Sequence, residues 1–251
     1  MNTVNNFVVI ESVYGKFLLN RHCVFQAEAL IKTGYTHIEP ELANIFTIID
    51  RLPADCLVVD GGANAGFFTV PVAQRIKHKN GRVISFEPQR EIFNGLAGTI
   101  ALNDLDNVRL NRMGLGNVAG QATVPKVDYS VDQDFGVVTI EQRDVVGSLY
   151  DIVVDQQSVE TVRLDDLSLP RLDFYKLDVE GYEIAALDGA RETIKKYRPF
   201  MWIEYWKTGL DVLVKRLSYL KDYDHFVVDP LNVLFVPREK MSEYNLEIRQ
   251  G

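Results

Sequence analysis

The segment Leu57-Val-Val-Asp-Gly-Gly-Ala-Asn-Ala-Gly66 constrains this chain more than any other. An apolar run that ends in an acid and passes at once into a glycine-rich turn reads as a β-strand feeding an α-helix. In open α/β sheets such turns stand at the carboxyl ends of strands, where ligands bind and glycine lets them approach the backbone.

The residues that follow keep the same rhythm. Phe67 to Lys77 reads as a helix, with Pro71 tolerated in its first turn. Val83 to Glu87 is a second strand, Glu91 to Leu102 a second helix, weakened by Gly95 and Gly98, and Val108 to Asn111 a third strand. After an interruption the pattern resumes with Phe174 to Asp178 (strand), Tyr182 to Lys195 (helix), Phe200 to Glu204 (strand) and Leu210 to Leu220 (helix). Short apolar runs alternating with amphipathic segments predict an α/β fold: a doubly wound, mostly parallel, seven-stranded Rossmann-like sheet.

Three regions depart from the rhythm. Residues 1–52 read as an N-terminal extension packed on the core, with FVVIESVYGKFLL alternating like a hairpin and Pro40 to Leu52 apolar at helical spacing. Residues 53–251 form the ligand-binding domain, with a β-rich insertion at about 114–162 where QATVPKV, GVVTI and SVETVRL suggest short strands. HFVVDPLNVLFV then closes the sheet as an antiparallel hairpin turning at Pro230 to Asn232.

The glycine turn has two candidate ligands. A dinucleotide loop of form GxGxxG, counted from Gly61, requires glycine where Ala63 stands. The pattern acid-x-Gly-x-x-x-Gly is met by Asp60, Gly62 and Gly66, with Asn64 between the glycines. An acid at the strand tip favours a cation, and S-adenosylmethionine carries an ammonium and a sulfonium where a dinucleotide carries phosphates. A turn that binds nothing is the plain alternative.

About twenty residues on, Phe86-Glu87-Pro88 ends the second strand in a carboxylate able to accept both ribose hydroxyls of such a ligand. Met113, after the third strand, can cover an adenine ring or fill the core. With Phe67 beyond the turn and Pro88 beside Glu87, these residues form the expected donor site.

The fourth strand tip, Lys176-Leu-Asp-Val-Glu-Gly-Tyr-Glu183, is loaded with acids. Asp178 and Glu180 are the catalytic candidates, able to deprotonate or orient an acceptor hydroxyl, and Asp178 can also hold the sulfonium end of the donor. Both also suit an ordinary helix N-terminus. Glu204, flanked by Trp202, Tyr205 and Trp206, ends the next strand, where the aromatics can wall an acceptor pocket or belong to the core. No spacing rule supports a metal site among Asp178, Glu180 and Glu204, and none is assigned. Tyr35 and His37 can close over the site, His37 as a neutral base, although a lone histidine is usually structural.

Composition narrows the partners. A formal charge of -8 over 251 residues gives nucleic acid little long-range attraction. Lys77, Lys79, Arg82, Lys195, Lys196 and Arg198 read as solvated helix ends and loops. Cys23 and Cys56 lack disulfide or zinc spacing, and no stretch is long and apolar enough to span a membrane, so a cytoplasmic protein acting on a small molecule is expected.

Taken in order, VVDGGANAGFFT, ISFEP, the GLGN turn, VRLDDL and YKLDVEGYEIAALDGA resemble the FkbM family of methyltransferases over roughly residues 35–204. The resemblance implies a class I fold that uses S-adenosylmethionine, releases S-adenosylhomocysteine and methylates a hydroxyl of a sugar, polyketide or other small natural product. It makes Asp60, Gly62, Asn64, Gly66 and Glu87 donor contacts and Asp178 with Glu180 the active-site edge. Gly61 departs from the bulkier apolar residue usual there. N-methylation, an NAD-dependent oxidoreductase at the same turn, aminopropyl transfer and a non-catalytic binding module stay open at this point.

Overall fold

The computed structural model of the chain describes residues 6–136, 140 and 153–243. Strands β1 (Phe7–Ser12) and β2 (Gly15–Asn20) form the expected antiparallel hairpin. The sequence reading places no element between this hairpin and Pro40, yet a helix α1 (Val24–Thr33) follows, ended by Gly34 at φ 73°, whose N–H bonds the Leu30 carbonyl. Helix α2 (Glu39–Ile49) buries Leu42, Ile45, Ile48 and Ile49.

The main sheet begins with β3 (Leu57–Gly61), α3 (Thr69–Lys77), β4 (Arg82–Phe86), α4 (Arg90–Leu102) and β5 (Val108–Asn111). The insertion supplies β6 (Gly114–Leu115), β7 (Gly120–Val127) and β8 (Val153–Val162), a separate three-stranded sheet in the order β6-β8-β7. The GVVTI segment, expected as a strand, lies largely outside the described residues.

Strand β9 (Phe174–Leu177) re-enters the main sheet. The single helix expected over Tyr182 to Lys195 is two, α5 (Glu183–Asp188) and α6 (Arg191–Tyr197). The break comes at Gly189, where a Cβ would lie 1.8 Å from the Gly116 carbonyl oxygen, so the chain has to bend around the insertion. Strand β10 (Phe200–Glu204), helix α7 (Leu210–Arg216) and the hairpin of β11 (Tyr223–Val227) and β12 (Asn232–Pro237) follow, with a short helix α8 (Arg238–Glu243) that the sequence reading does not contain.

The seven strands run in the order β11-β12-β10-β9-β3-β4-β5. All pairings from β10 to β5 are parallel, and β12 is antiparallel to both neighbours. Chain order reverses between β3 and β9, which makes their carboxyl ends the topological switch point. Period-2 alternation divides the core. Val58, Phe174, Phe200 and Trp202 face the hairpin, α2 and α3, while Leu57, Val59, Tyr175, Met201 and Ile203 face α5, α6 and α7. Among the described residues no helix is long and apolar enough to cross a membrane.

The hairpin and α2 share one apolar cluster with the sheet through Phe17, Leu19, Leu42 and Ile45. Leu42→Ala, at a fully buried position, is therefore expected to lower global stability by about 2–5 kcal/mol. Chemical denaturation checks this: one cooperative transition should shift as a whole, whereas an unshifted main transition would make the extension an independent unit.

Candidate active site

The turn after β3 is built from left-handed backbone. Gly62 (φ 78°), Asn64 (φ 49°) and Gly66 (φ 96°) reverse the chain within five residues, and the amides of Gly62 and Ala63 both donate to the Phe86 carbonyl, at 3.1 and 2.9 Å. A Cβ on Gly62 would lie 1.7 Å from the Asp178 carbonyl oxygen, so only glycine lets the turn meet the segment after β9. Gly66 does a different job from the one expected: a Cβ there would touch the Leu96 side chain at 3.0 Å, and the residue packs against α4 away from the cavity wall. Gly61 explains its departure from a bulkier residue, because a Cβ would crowd Leu177 at 2.9 Å and Leu115 at 3.0 Å.

A cavity of about 800 Å3, counted with its open mouth, lies over this turn. Gly62, Asn64 and Phe67 line it, together with Glu87, Pro88 and Met113. Glu87 is 4% exposed. Its two oxygens accept the amides of Asn64 (3.1 Å) and Gln89 (2.8 Å), which ties the tip of β4 to the glycine turn. Burial pushes its pKa up to about 7 against those two hydrogen bonds. Each oxygen keeps a second lone-pair direction for a hydroxyl donor. The insertion is fastened here as well, since Tyr129 and the Phe135 carbonyl hold the Gln89 amide group at 2.9 and 3.0 Å.

Asp60 sits elsewhere than the sequence reading expects. It is fully buried and absent from the cavity wall, with Oδ2 accepting the Thr69 hydroxyl at 2.6 Å and Oδ1 3.4 Å from the Lys176 ammonium. Its carboxylate meets side chains of the fold instead of a ligand, because β3 delivers it pointing below the turn. Lys176 is the residue that sequence reasoning missed. Its register partners are Asp60 on β3 and Trp202 on β10, and its ammonium donates to the Gly62 carbonyl (3.0 Å) and pairs with Asp178 (3.2 Å). The available signal was a lysine inside an otherwise apolar strand.

Asp178, Glu180 and Glu204 do converge, with one oxygen from each lying within 4.8 Å of the others. Glu180 adopts φ 59° and pairs with Lys207 at 2.5 Å. Burial, then the charge of Asp178, raise the Glu180 pKa to about 7 in spite of Lys207. Burial and the same neighbours raise Glu204 further, to about 10, so it is protonated at neutral pH. This spacing also suits oxygen ligands of a divalent cation, a geometry that the sequence did not show.

Of the two readings of the aromatics around Glu204, wall or core, the structure shows no wall. Trp202 is core, Tyr205 packs on the α7 side and Trp206 is exposed. The start of α2 replaces it, contributing His37, Ile38 and Glu41 to the cavity, while Tyr35 lies outside and exposed. The His37 ring stands between Phe25 and Phe67, with centroids at 5.5 and 4.8 Å, and burial lowers its pKa, so it is neutral.

The residues fit S-adenosylmethionine: the buried carboxylate of Glu87 lines the cavity where ribose hydroxyls would come, and the glycine turn lines the same cavity through Gly62, Ala63 and Asn64. Because hydroxyls donate best to an ionised carboxylate, affinity for S-adenosylhomocysteine is expected to rise as pH passes upward through about 7, where Glu87 loses its proton. Glu87→Gln should bind about 10–100-fold more weakly and lose that part of the rise. Calorimetry from pH 6 to 8 reads both, and an unchanged affinity in the variant would remove Glu87 from the site.

Comparison with known proteins agrees with this geometry. Residues 60–225 match the family model described as Methyltransferase FkbM domain. The chain is 26% identical over 205 residues to methyltransferase sdnD of Sordaria araneosa, covering 70% of this chain and 76% of that one. It is 26% identical over 154 residues to methyltransferase 1 of Beauveria bassiana, covering 55% and 59% of the two chains. Among solved structures, the methyltransferase FkbM of Methylobacillus flagellatus aligns with a TM-score of 0.52 at 22% identity, over 74% of this chain and 44% of that one. The chain therefore spans less than half the length of that structure. With the family model matching residues 60–225, the chain belongs to the FkbM methyltransferase domain family, with S-adenosylmethionine as cofactor.

Proposed function

We propose that this protein transfers the methyl group of S-adenosylmethionine to a hydroxyl oxygen of a small acceptor, a sugar, polyketide or similar natural product. The family assignment replaces the oxidoreductase alternative. The observation that carries the oxygen assignment is Glu180, a carboxylate with a pKa of about 7 beside Asp178 at the cavity rim. An alcohol has to lose its proton during transfer, and a base whose pKa lies near the working pH is best suited to take it.

The bound cofactor supplies an electrophilic methyl on a sulfonium. Glu87 holds the ribose end, and Asp178, anchored by Lys176, faces the charged end. Bound there, the sulfonium methyl would be open to in-line attack by an acceptor oxygen, with the bonding pair left on sulfur, and Glu180 would take the hydroxyl proton. Alignment within roughly 3–3.5 Å supplies much of the acceleration. A cavity of this size, shared with the donor, and an overall charge of -8 favour a small acceptor over nucleic acid. The two free, buried cysteines are in keeping with a cytoplasmic enzyme.

Incubation with methyl-labelled donor and a panel of alcohols and amines tests the reading. A methyl ether is the expected product, and methylated amines alone would overturn the oxygen assignment. With the acceptor found, Glu180→Gln should lower kcat by about 10²–10⁴-fold while affinity for S-adenosylhomocysteine stays within about threefold. A fall of less than about tenfold would take the base role from Glu180.

A further inference from the structure

Lys176 occupies a position for which the fold alone gives little reason. It is 8% exposed, in a strand whose other residues, Phe174, Tyr175 and Leu177, are fully buried apolar side chains. Taking an ammonium out of water is costly unless it is paired and hydrogen-bonded. Here its ammonium donates to the Gly62 carbonyl at 3.0 Å and forms ion pairs with Asp60 at 3.4 Å and Asp178 at 3.2 Å, on both sides of the switch point. Asp60 is fully enclosed, whereas the Asp178 side chain is 36% exposed and lines the cavity. The lysine thus reaches from a buried anchor up to two acceptors at the cavity floor.

The cavity has a direction. The strand order sets it: Met113 follows β5 at one end, Glu87 follows β4, the glycine turn follows β3, and Asp178 follows β9 at the other. A donor with its ribose on Glu87 and its adenine toward Met113 extends its amino-acid end across the turn to the Gly62 carbonyl and Asp178. Both are hydrogen-bond acceptors, and both are held by the same lysine.

We propose that Lys176 is a positioning residue: from beneath the cavity it fixes the Gly62 carbonyl and the Asp178 carboxylate in the orientation that receives the ammonium group of the methyl donor. Its charge also faces His37 and Glu41 on α2, Glu87 after β4, and Glu204 at the end of β10. Glu180 lies beyond Asp178 and is paired with Lys207. Burial works against the charge on Lys176, but Asp178 and Asp60 outweigh it and hold the ammonium protonated throughout the working range. Without the ammonium, Asp60 and Asp178 would face each other with no cation between them.

The proposal rests on S-adenosylmethionine being the donor, and two probes separate the ideas. S-adenosylhomocysteine carries the amino-acid end, while 5′-methylthioadenosine keeps the adenosine and sulfur and lacks that end, so effects on ribose binding cancel in the ratio of their affinities. Calorimetric titration of wild type, Lys176→Met, Lys176→Arg and Asp178→Asn at pH 6.5, 7.5 and 8.5 reads the ratio. The expected result is a loss of about 10–100-fold for S-adenosylhomocysteine in Lys176→Met at pH 6.5, with methylthioadenosine changed by less than about threefold. Lys176→Arg, which keeps a cation beneath the cavity, should recover most of the loss.

A parallel fall for both probes would reduce Lys176 to a structural role and overturn the proposal, as would unchanged affinity for both. Where thermal melting shows Lys176→Met to be unfolded, Asp178→Asn decides: a selective loss of S-adenosylhomocysteine supports the proposal and a wild-type ratio overturns it. Failure of the wild type to bind either probe would contradict the donor reading itself, and the proposal with it.

Discussion

Everything in this site depends on the reversal of chain order between β3 and β9. Helices that follow the strands on either side of that line go to opposite faces of the sheet, which leaves a crevice at the strand tips. Here the crevice is narrow enough for the Gly62 backbone to meet the Asp178 backbone, and the approach is possible because position 62 has no side chain. The Phe86 carbonyl, accepting two amides of the turn, and Glu87, accepting a third, join β4 to the same point. Three strand tips are thus locked together by backbone contacts before any ligand arrives.

Burial then sets the chemistry. Glu87 and Glu180 are carboxylates raised to about 7 chiefly by loss of water, and Glu204 is raised further, by burial first and then by the charges of Asp178, Glu180 and Glu183. One enclosed cation, Lys176, touches Asp60 and Asp178 and opposes the rise in its neighbours. The result is a graded set of acids within one small volume, with Glu87 and Glu180 near neutrality and Glu204 above it. Grading of this kind is how carboxylates of the same intrinsic strength take different roles in one site.

Local pattern made much of this legible. Strand runs ending in acids, glycines at fixed offsets and alternating apolar segments yielded the parallel sheet, the glycine turn, Glu87 and the acids after β9. The unread parts depend on contacts distant in sequence. Helix α1 buries Gln26 along with Ala27 and Leu30 and has no side-chain cap, so its apolar face is indistinct. The break at Gly189 exists because of Gly116 in the insertion. Asp60 is held inward by Thr69 and Lys176, and one part of the cavity lining comes from His37, Ile38 and Glu41 of the extension instead of the aromatics around Glu204. A sequence pattern shows which strand ends carry acids, and it leaves open which of them the fold will turn toward the cavity.

The most direct test of the account is a crystal structure of the protein with S-adenosylhomocysteine. The account requires both ribose hydroxyls on Glu87, the adenine beside Met113 and the amino group at the Gly62 carbonyl and Asp178, with the sulfur facing Glu180. A ligand lying elsewhere, or one whose amino-acid end points away from the β9 tip, would contradict it.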